Sequence, residues 1–418
     1  MKFGIFYEHQ IPRPWTEGSE HKLYKDALEQ VELADKLGVD YAWEVEHHFL
    51  EEYSHSSAPE VFLAACSQRT KQIRLGHGIV LMPANYNHPA RVAERIATLD
   101  LVSDGRVEWG TGSSSSRSEL EGFNIHPDEK HTMWEETVRE ATKMISMTPY
   151  PGHKGKYFSM PMRNVVPKPL QKPHPPLWLA CSNRESIRIA AKNGIGALTF
   201  AFVDPTEAKY WVEEYYEIFK TQCKPIGRAV NPNVAMVTGF MCHDDADEAV
   251  NRGLEGFQFF GYALSHFYMT GTHVPGRFNI WEDFKKNAPP RKEPTGGIGN
   301  PDQVRHTLET FEQMGVDQVI FIQQAGNNRH EHICQSLELF ADQILPEFKE
   351  REVVRANEKA ENLAPYVEQA LAKIPPLPKL DAVPELESYP VLKRNMEMEE
   401  ASTEEENSMV SSIAGART

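Results

Sequence analysis

The sequence has few cysteines and no long apolar run, and these two absences argue against a disulfide-rich protein, a cysteine metal site and a membrane-spanning protein. Only five of its 418 residues are cysteine, and they are widely spaced without a C-x-x-C pair. A disulfide framework, a cysteine zinc site and a dithiol redox motif are therefore not expected. No apolar stretch approaches the roughly 18 residues that span a bilayer, and the N-terminal stretch turns polar too early for a secretory signal. We expect a cytoplasmic protein.

Positive charge is also in short supply. The chain has 44 Lys and Arg against 60 Asp and Glu, which gives a formal net charge of −16. Nucleic-acid binding depends on clustered Lys and Arg, and no such run occurs, so a nucleic-acid partner is not expected. An apolar fraction of 40% with 25% charged residues is typical of a globular protein with a sizeable core.

Strand-like and helical runs alternate along the chain, and eight alternations favour a (β/α)8 TIM barrel over a doubly wound sheet. The predicted fold is this barrel with an insertion before the last βα unit. The predicted strands cover residues 3–7, a run from 41, then 73–80, 106–111, 177–180, 197–202, 234–241 and 318–322. The predicted helices cover 23–37, 60–68, 90–102, 131–147, 184–193, 206–219, 245–260, 301–314 and 332–348.

This pattern divides the chain into a barrel domain, a lid within that domain and a C-terminal tail. Residues 1–349 are expected to form the barrel domain, with 261–299 as a mobile lid because that segment has no clear period. Residues 350–418 are acidic and punctuated by proline, which predicts a short helix followed by an extended tail. Aromatic residues at the start of the insertion indicate either an apolar pocket or ordinary helix packing; they are Phe257, Phe259, Phe260, Tyr262, Phe267 and Tyr268.

Two adjacent histidines follow the second predicted strand directly, within the run Glu46, His47, His48 and Phe49. Barrel enzymes build their active sites at the C-terminal ends of the strands. Histidine is the usual proton carrier near neutral pH, although such a pair can also be merely half-buried and hydrogen-bonded. Position alone makes the pair a candidate site and leaves both interpretations open.

Three motifs in order resemble the bacterial luciferase-like, flavin-dependent monooxygenase family. They are EHHF at 46–49, HPARVAE at 88–94 running into LDLVSDGR at 99–106, and the stretch from GNP at 299 to LPEF at 348. The resemblance spans about residues 1–349. It implies a barrel that binds reduced FMN in its mouth, reacts it with dioxygen and oxygenates a small organic substrate through a flavin peroxide. It also implies a separate reductase that supplies the reduced FMN, and a homodimer.

The resemblance assigns the catalytic histidine to His47, with His48 and Glu46 as neighbours that fix its orientation. It also places a strained, non-proline cis peptide bond beneath the flavin at Gly78 and Ile79. Without the resemblance, Gly78 would be an ordinary glycine in a buried strand.

Two loops offer donors for the FMN phosphate. Cys181, Ser182 and Asn183 close the fifth strand and open a helix, whose N-terminal N–H groups and dipole favour an anion. A plain helix cap by Ser182 explains the same residues without a ligand.

The other loop follows the fourth strand and departs from the family pattern. The family commonly has an arginine directly after this strand and another at the start of the next helix. This chain has Ser113 in the first place and Lys130 and His131 in the second. Arg117 is the residue expected to reach back and replace the lost charge. The departure leaves open a cofactor other than FMN. One alternative function is a deazaflavin-dependent oxidoreductase that transfers hydride, and another is a catalytically inactive flavin-binding barrel.

The remaining histidines have no metal-ligand spacing. His9, His21, His330 and His332 are therefore interpreted as surface residues, and no metal site is predicted.

Overall fold

Eight parallel strands close into a barrel in the computed structural model, which describes residues 1–200, 205–287, 296–380, 382–386 and 391–415. The strands are β1 Lys2–Tyr7, β2 Tyr41–Glu44, β3 Arg74–His77, β4 Val107–Gly112, β5 Leu177–Cys181, β6 Gly196–Thr199, β7 Val234–Cys242 and β8 Gln318–Ile322. They pair in the order β7, β8, β1, β2, β3, β4, β5, β6, and β7 pairs again with β6. The predicted TIM barrel is confirmed, while residues 201–202 of the sixth predicted strand lie outside the described residues.

Helices connect the strands and cover the outside of the barrel. They are Ser19–Leu37, Pro59–Ser67, Pro89–Val102, Arg117–Gly122, Lys130–Ser146, Arg184–Lys192, Pro205–Gln222, Ala246–Ser265, Ile280–Asn287, Pro301–Gln313, His330–Gln343 and Leu345–Ala372, with a π-helix at His266–Thr270. A further helix, Val391–Gly415, lies in the C-terminal region. Short strands lie at Val80–Leu81, His153–Lys154, Ser159–Met160 and Gly297–Gly299. Among the described residues, none of the helices combines the length and apolar character needed to cross a bilayer.

The side chains of β1 alternate between two layers of the core, and the same alternation determines which side chain enters the mouth of the barrel. Ile5 and Tyr7 belong to the cluster between the strands and the helices, whereas Phe6 belongs to the cluster inside the barrel with Trp43. Successive side chains of a strand point to opposite faces. Glu8, the next residue in the Phe6 direction, therefore enters the mouth just beyond the strand.

The third predicted strand, 73–80, is broken after His77. A Cβ added at Gly110 of β4 would lie 1.9 Å from the His77 carbonyl oxygen, so only glycine allows this close approach. Pairing with β4 resumes at Val80–Leu81. Between the two paired segments, Gly78 and Ile79 cross the edge of the barrel mouth.

The C-terminal region departs from the sequence prediction. The predicted helix 332–348 is two helices, because Pro346 has no N–H to continue the first and stands in the opening turn of Leu345–Ala372. That helix has 28 residues and buries Leu363 and Ala370. The first compact unit is Met1–Pro375, which runs past the boundary expected at 349, and the second is Pro376–Thr418.

Asp317, just before β8, ties the long helix to the barrel. Its carboxylate accepts hydrogen bonds from the Val234 N–H at 2.8 Å and the Tyr216 hydroxyl at 2.5 Å. Lys359 and Arg355 of the helix Leu345–Ala372 donate to the other oxygen at 2.7 and 3.2 Å. One largely buried carboxylate thus joins β7, an outer helix and the C-terminal helix.

Replacing Asp317 by asparagine is expected to lower the free energy of unfolding by about 1.5 kcal/mol, since two cations lose their charged acceptor in a partly buried site. Urea unfolding followed by circular dichroism would measure the change. Tyr216→Phe is the matched control, because it removes one donor and leaves the charge, and it should cost less. Equal stability of the Asp317→Asn variant and the parent chain would contradict this role.

Candidate active site

His47 lies at the mouth of the barrel with a carboxylate facing each of its ring nitrogens. Its Nδ1 donates to Glu119 Oε1 at 3.1 Å, and its Nε2 lies 3.6 Å from Glu8 Oε2. The backbone N–H of His47 donates to the Ser56 carbonyl oxygen at 2.8 Å, which fixes the position of the residue. The imidazole is 14% exposed, whereas Glu8 and Glu119 are buried. The histidine can therefore meet a ligand in the mouth while both acids stay behind it.

The two carboxylates decide the charge of His47. Burial opposes the imidazolium, but Glu8 and Glu119 outweigh it and raise the pKa of His47 to about 9. Burial also works against charge on Glu119, yet His47 and the Ser114 hydroxyl hold its pKa below the usual value. Burial raises the pKa of Glu8 to about 7 despite the opposing effects of His47 and Tyr53. At neutral pH His47 carries a proton that it can donate.

Glu46 and His48 are near His47 but do not orient it as expected. Glu46 accepts hydrogen bonds from Asn87 Nδ2 at 2.8 Å, from the Leu81 N–H at 2.7 Å and from His48 Nε2 at 3.2 Å. Its main effect is thus to hold the chain after β3 and the His48 ring. Hydrogen bonding to the His47 ring comes from Glu119 instead, so the assigned supporting role of Glu46 and His48 is indirect.

A second histidine–carboxylate pair lies behind the first. His9 is fully buried, and its Nε2 lies 3.0 Å from Glu44 Oε1. Its Nδ1 lies 3.2 Å from Gln324 Oε1. The interpretation of His9 as a surface residue is wrong, because the chain turns at His9 with a φ of 51° and directs its ring away from solvent. The His9–Glu44 pair lies between the strands and the outer helices and supports the end of β1 there.

The expected cis bond between Gly78 and Ile79 is not present. The cis peptide bonds of the described residues all precede proline, and this bond is not among them. In the trans form the Gly78 N–H already donates to the Glu44 carbonyl oxygen at 2.6 Å. Ile79 belongs to the apolar cluster inside the barrel, where a Cβ at Gly112 would approach its Cδ1 to 2.6 Å. Both residues line the mouth with ordinary backbone geometry.

Lys130, the first residue of the helix Lys130–Ser146, brings its ammonium group to the serine-rich loop after β4. The Lys130 ammonium donates to the Ser114 carbonyl oxygen at 2.6 Å and to the Ser115 hydroxyl at 2.7 Å. Burial lowers the pKa of Lys130, and no acid among the described residues contacts its ammonium group. A half-buried ammonium that has only one carbonyl oxygen and one hydroxyl as neutral acceptors is suited to an anion. Ser113 is half-buried in the same loop.

Two other residues expected at this loop face away from it. The side chain of Arg117 is 86% exposed and pairs with Glu121 one turn along its own helix, so Arg117 does not replace the missing arginine. His131 is exposed, and its ring stacks on Trp134 at 5.3 Å. Lys130 is thus the residue of this group that brings positive charge to the loop.

The loop after β5 is a helix start with a different cap from the one expected. Asn183 caps the helix Arg184–Lys192 by accepting the Ser186 N–H at 3.0 Å, so the cap is not Ser182. Ser182 is exposed at the end of the strand. Cys181 is fully buried, and burial raises the pKa of its thiol, which leaves it inert.

The insertion before the last βα unit folds over the mouth, although its residues 288–295 lie outside the described residues. The Tyr268 hydroxyl lies 3.5 Å from His47 Nδ1. Phe267 of the insertion is buried in the inner cluster together with Phe259 and Phe260 of the preceding helix Ala246–Ser265, so the insertion packs onto the barrel. The mobility of this lid stays a prediction.

A buried acid from the β2 loop holds the insertion in place. Glu52 accepts the N–H groups of Ile280 at 2.5 Å and Trp281 at 3.1 Å, where the helix Ile280–Asn287 begins. Glu51 accepts the Gly276 N–H at 2.8 Å. A carboxylate at a helix N-terminus is favoured by the free N–H groups and the helix dipole.

Comparison with known proteins decides the family. A model of the luciferase-like monooxygenase family matches residues 1–318. The chain belongs to the luciferase-like monooxygenase family. This agrees with the resemblance found in the sequence, and one relative is named as the oxygenase component of a flavin-dependent monooxygenase.

Three proteins similar to this luciferase-like chain are named as monooxygenases or as oxygenating components. It is 27% identical over 368 residues to the oxygenase component of the flavin-dependent trigonelline monooxygenase of Acinetobacter baylyi, covering 85% of this chain and 98% of the relative. The solved structure of the monooxygenase RslO1 from Streptomyces bottropensis superposes with a TM-score of 0.68 at 26% identity, covering 83% of this chain and all of that one. The oxygenating constituent of 3,6-diketocamphane monooxygenase from Pseudomonas putida, solved with FMN, gives 0.64 at 20% identity over 83% of this chain and 98% of that one, which shows a shared fold.

Sequence reasoning missed Glu8 and Glu119, which face the ring nitrogens of His47, and it named Tyr268 only as an aromatic residue of a possible apolar pocket. Glu8 could have been found, because it follows β1 directly and the rule that selected His47 applies to every strand end. Glu119 lies 72 positions from His47 and Tyr268 lies 221 positions away, so local pattern gave no signal for either contact.

Proposed function

We propose that this chain is the oxygenase component of a two-component monooxygenase that uses reduced FMN and dioxygen to oxygenate a small organic substrate. The observation that carries the proposal is the half-buried Lys130 ammonium, which has a hydroxyl and a carbonyl partner but no carboxylate partner in the described part of the chain. A phosphate is the natural counter-ion for such a group. The FMN complex of the diketocamphane enzyme and the name of the trigonelline relative support the same cofactor class.

Lys130 and the hydroxyls of the loop from Ser113 to Ser115 would hold the FMN phosphate. The exposed Ser182 is a second candidate donor. Bound reduced FMN supplies the electrons that activate dioxygen. No other group of the chain needs to be redox-active for this chemistry.

His47 serves as the proton donor of the site. Glu8 and Glu119 keep it protonated at neutral pH, and its partial exposure lets Nε2 reach a ligand in the mouth. Tyr268 and the buried aromatic residues of the insertion cover this position and limit the access of water.

The deazaflavin alternative remains to be separated, because F420-dependent enzymes share this fold. An oxygen electrode would compare the purified chain with reduced FMN and with reduced F420, using trigonelline as the first substrate because of the relative above. The proposal predicts protein-dependent dioxygen uptake with reduced FMN and a product carrying one atom of ¹⁸O₂. Substrate turnover with reduced F420 under anaerobic conditions would contradict it.

Two partners belong to the proposal. The relative's designation as an oxygenase component supports a separate reductase that supplies reduced FMN. A homodimer is proposed from the family resemblance, and light scattering at micromolar concentration would test it.

A further inference from the structure

One carboxyl group at the site has an oxygen without a hydrogen-bond partner. Glu8 follows β1, and its Oε1 accepts the Tyr53 hydroxyl at 2.9 Å. Its other oxygen, Oε2, is buried and makes no hydrogen bond in the part of the chain that the structure describes. That oxygen faces His47 Nε2 at 3.6 Å. A buried carboxyl oxygen that has no hydrogen-bond partner and faces a histidine nitrogen can bind a proton and hold it.

The other acid of the site is held differently. Glu119 accepts hydrogen bonds from the His48 N–H at 2.9 Å, from His47 Nδ1 at 3.1 Å and from the Ser114 hydroxyl. These donors stabilise its anionic form, so Glu119 stays charged. The two acids that face one imidazole are therefore not equivalent, and Glu8 is the one with capacity to take up a proton.

We propose that Glu8 is a positioning residue that exchanges a proton with His47 and so returns the histidine to its protonated form after it has donated a proton to the ligand. In this step the O–H bond on Glu8 Oε2 breaks, an N–H bond forms at His47 Nε2, and no electrons leave the pair. The imidazolium can then donate again to a ligand in the mouth. This inference rests on the proposed function, because it takes His47 as the group that meets the ligand.

The surroundings of the pair agree with this role. Burial raises the pKa of Glu8 to about 7, with His47 and Tyr53 acting in the opposite direction, while the pKa of His47 stands near 9. Other groups also act on the pair: Glu44 and Glu46 add negative charge from the β2 side, the Ser54 hydroxyl stabilises ionised Glu8, and Tyr268 faces His47 from the insertion. Since the two groups interact, each should sense the titration of the other.

Histidine titration by NMR tests the proposal without cofactor or substrate. The chain would be labelled with ¹³C-histidine, and His47→Gln would identify the His47 signal. In the parent chain we expect a step near pH 7 from Glu8 and loss of the His47 proton near pH 9. In Glu8→Gln the step near pH 7 should disappear and the pKa of His47 should fall by about one unit or more, because one of two facing carboxylates is gone.

Two further variants keep the test decisive. Tyr53→Phe removes the hydrogen bond that favours ionised Glu8, so the step near neutral pH should move upward while the fold is unchanged. Glu46→Gln is the matched control, since it removes a nearby buried carboxylate that is not hydrogen-bonded to His47, and it should keep the Glu8 step.

Superimposable His47 curves for Glu8→Gln and the parent chain would overturn the proposal, and so would an unshifted step in Tyr53→Phe. Absence of FMN-dependent dioxygen uptake would overturn the proposed function and leave these curves unchanged, so the two failures can be told apart.

Discussion

Replacing His47 by alanine is expected to lower turnover with reduced FMN and dioxygen by about 100-fold or more, the usual scale for a lost acid–base group. The physical reason is the charge of the site. Glu8 and Glu119 hold the pKa of His47 at about 9 and make it the proton donor at neutral pH. In the alanine variant both acids remain, but no group between them can deliver a proton to the mouth.

His48→Ala is the matched control for this experiment. His48 packs against Phe123 at 4.9 Å and hydrogen-bonds to Glu46, so its ring lies beside the site and not between the two acids. We expect a loss of turnover below about tenfold for this variant. The rate of product formation, with circular dichroism to check the fold, measures both. Equal losses in the two variants would remove the special role given to His47.

Replacing Lys130 by methionine is expected to weaken the binding of reduced FMN by about 30-fold. The ammonium is half-buried with two neutral acceptors, so a bound phosphate would receive a charge-assisted hydrogen bond worth about 2 kcal/mol. Methionine keeps the length of the side chain and removes the charge. Anaerobic titration followed by flavin fluorescence or calorimetry gives the dissociation constant directly.

Arg117→Met is the control for Lys130, because it removes a cation from the same region of the chain. The Arg117 side chain is exposed and paired with Glu121, so its loss should leave FMN affinity within about twofold of the parent value. Weaker binding in Arg117→Met together with unchanged binding in Lys130→Met would move the phosphate site away from the loop after β4.

The barrel could be predicted from sequence because each strand and helix has a local period. The buried strands read as short apolar runs, and the helices between them have one apolar face, so eight units emerged in the right order. The break after His77 could not be predicted, since it depends on how closely Gly110 of the neighbouring strand approaches. The long helix Leu345–Ala372 was also missed, because its packing depends on contacts such as Lys359 with Asp317.

The site could be predicted only where its residues follow a strand end in an obvious motif. His47 was found in this way. Of the two acids that set its charge, Glu8 follows another strand and Glu119 lies in the helix Arg117–Gly122, while Tyr268 comes from the insertion. These contacts exist only once the barrel is closed. The cation at the serine-rich loop after β4 could not be predicted for a similar reason. Arg117 looked suitable by its position along the chain, but its helix turns it outward, and Lys130 reaches the loop instead.

The most direct test of the proposed chemistry is stopped-flow absorbance after mixing the protein and reduced FMN with dioxygen. We predict that the protein slows the return of oxidised FMN relative to free solution and produces a transient flavin band that belongs to neither the reduced nor the oxidised form. The band should be altered in the His47→Ala variant. Reoxidation of FMN at the rate of free solution, with no transient band, would contradict the assignment of this chain as an FMN-dependent oxygenase.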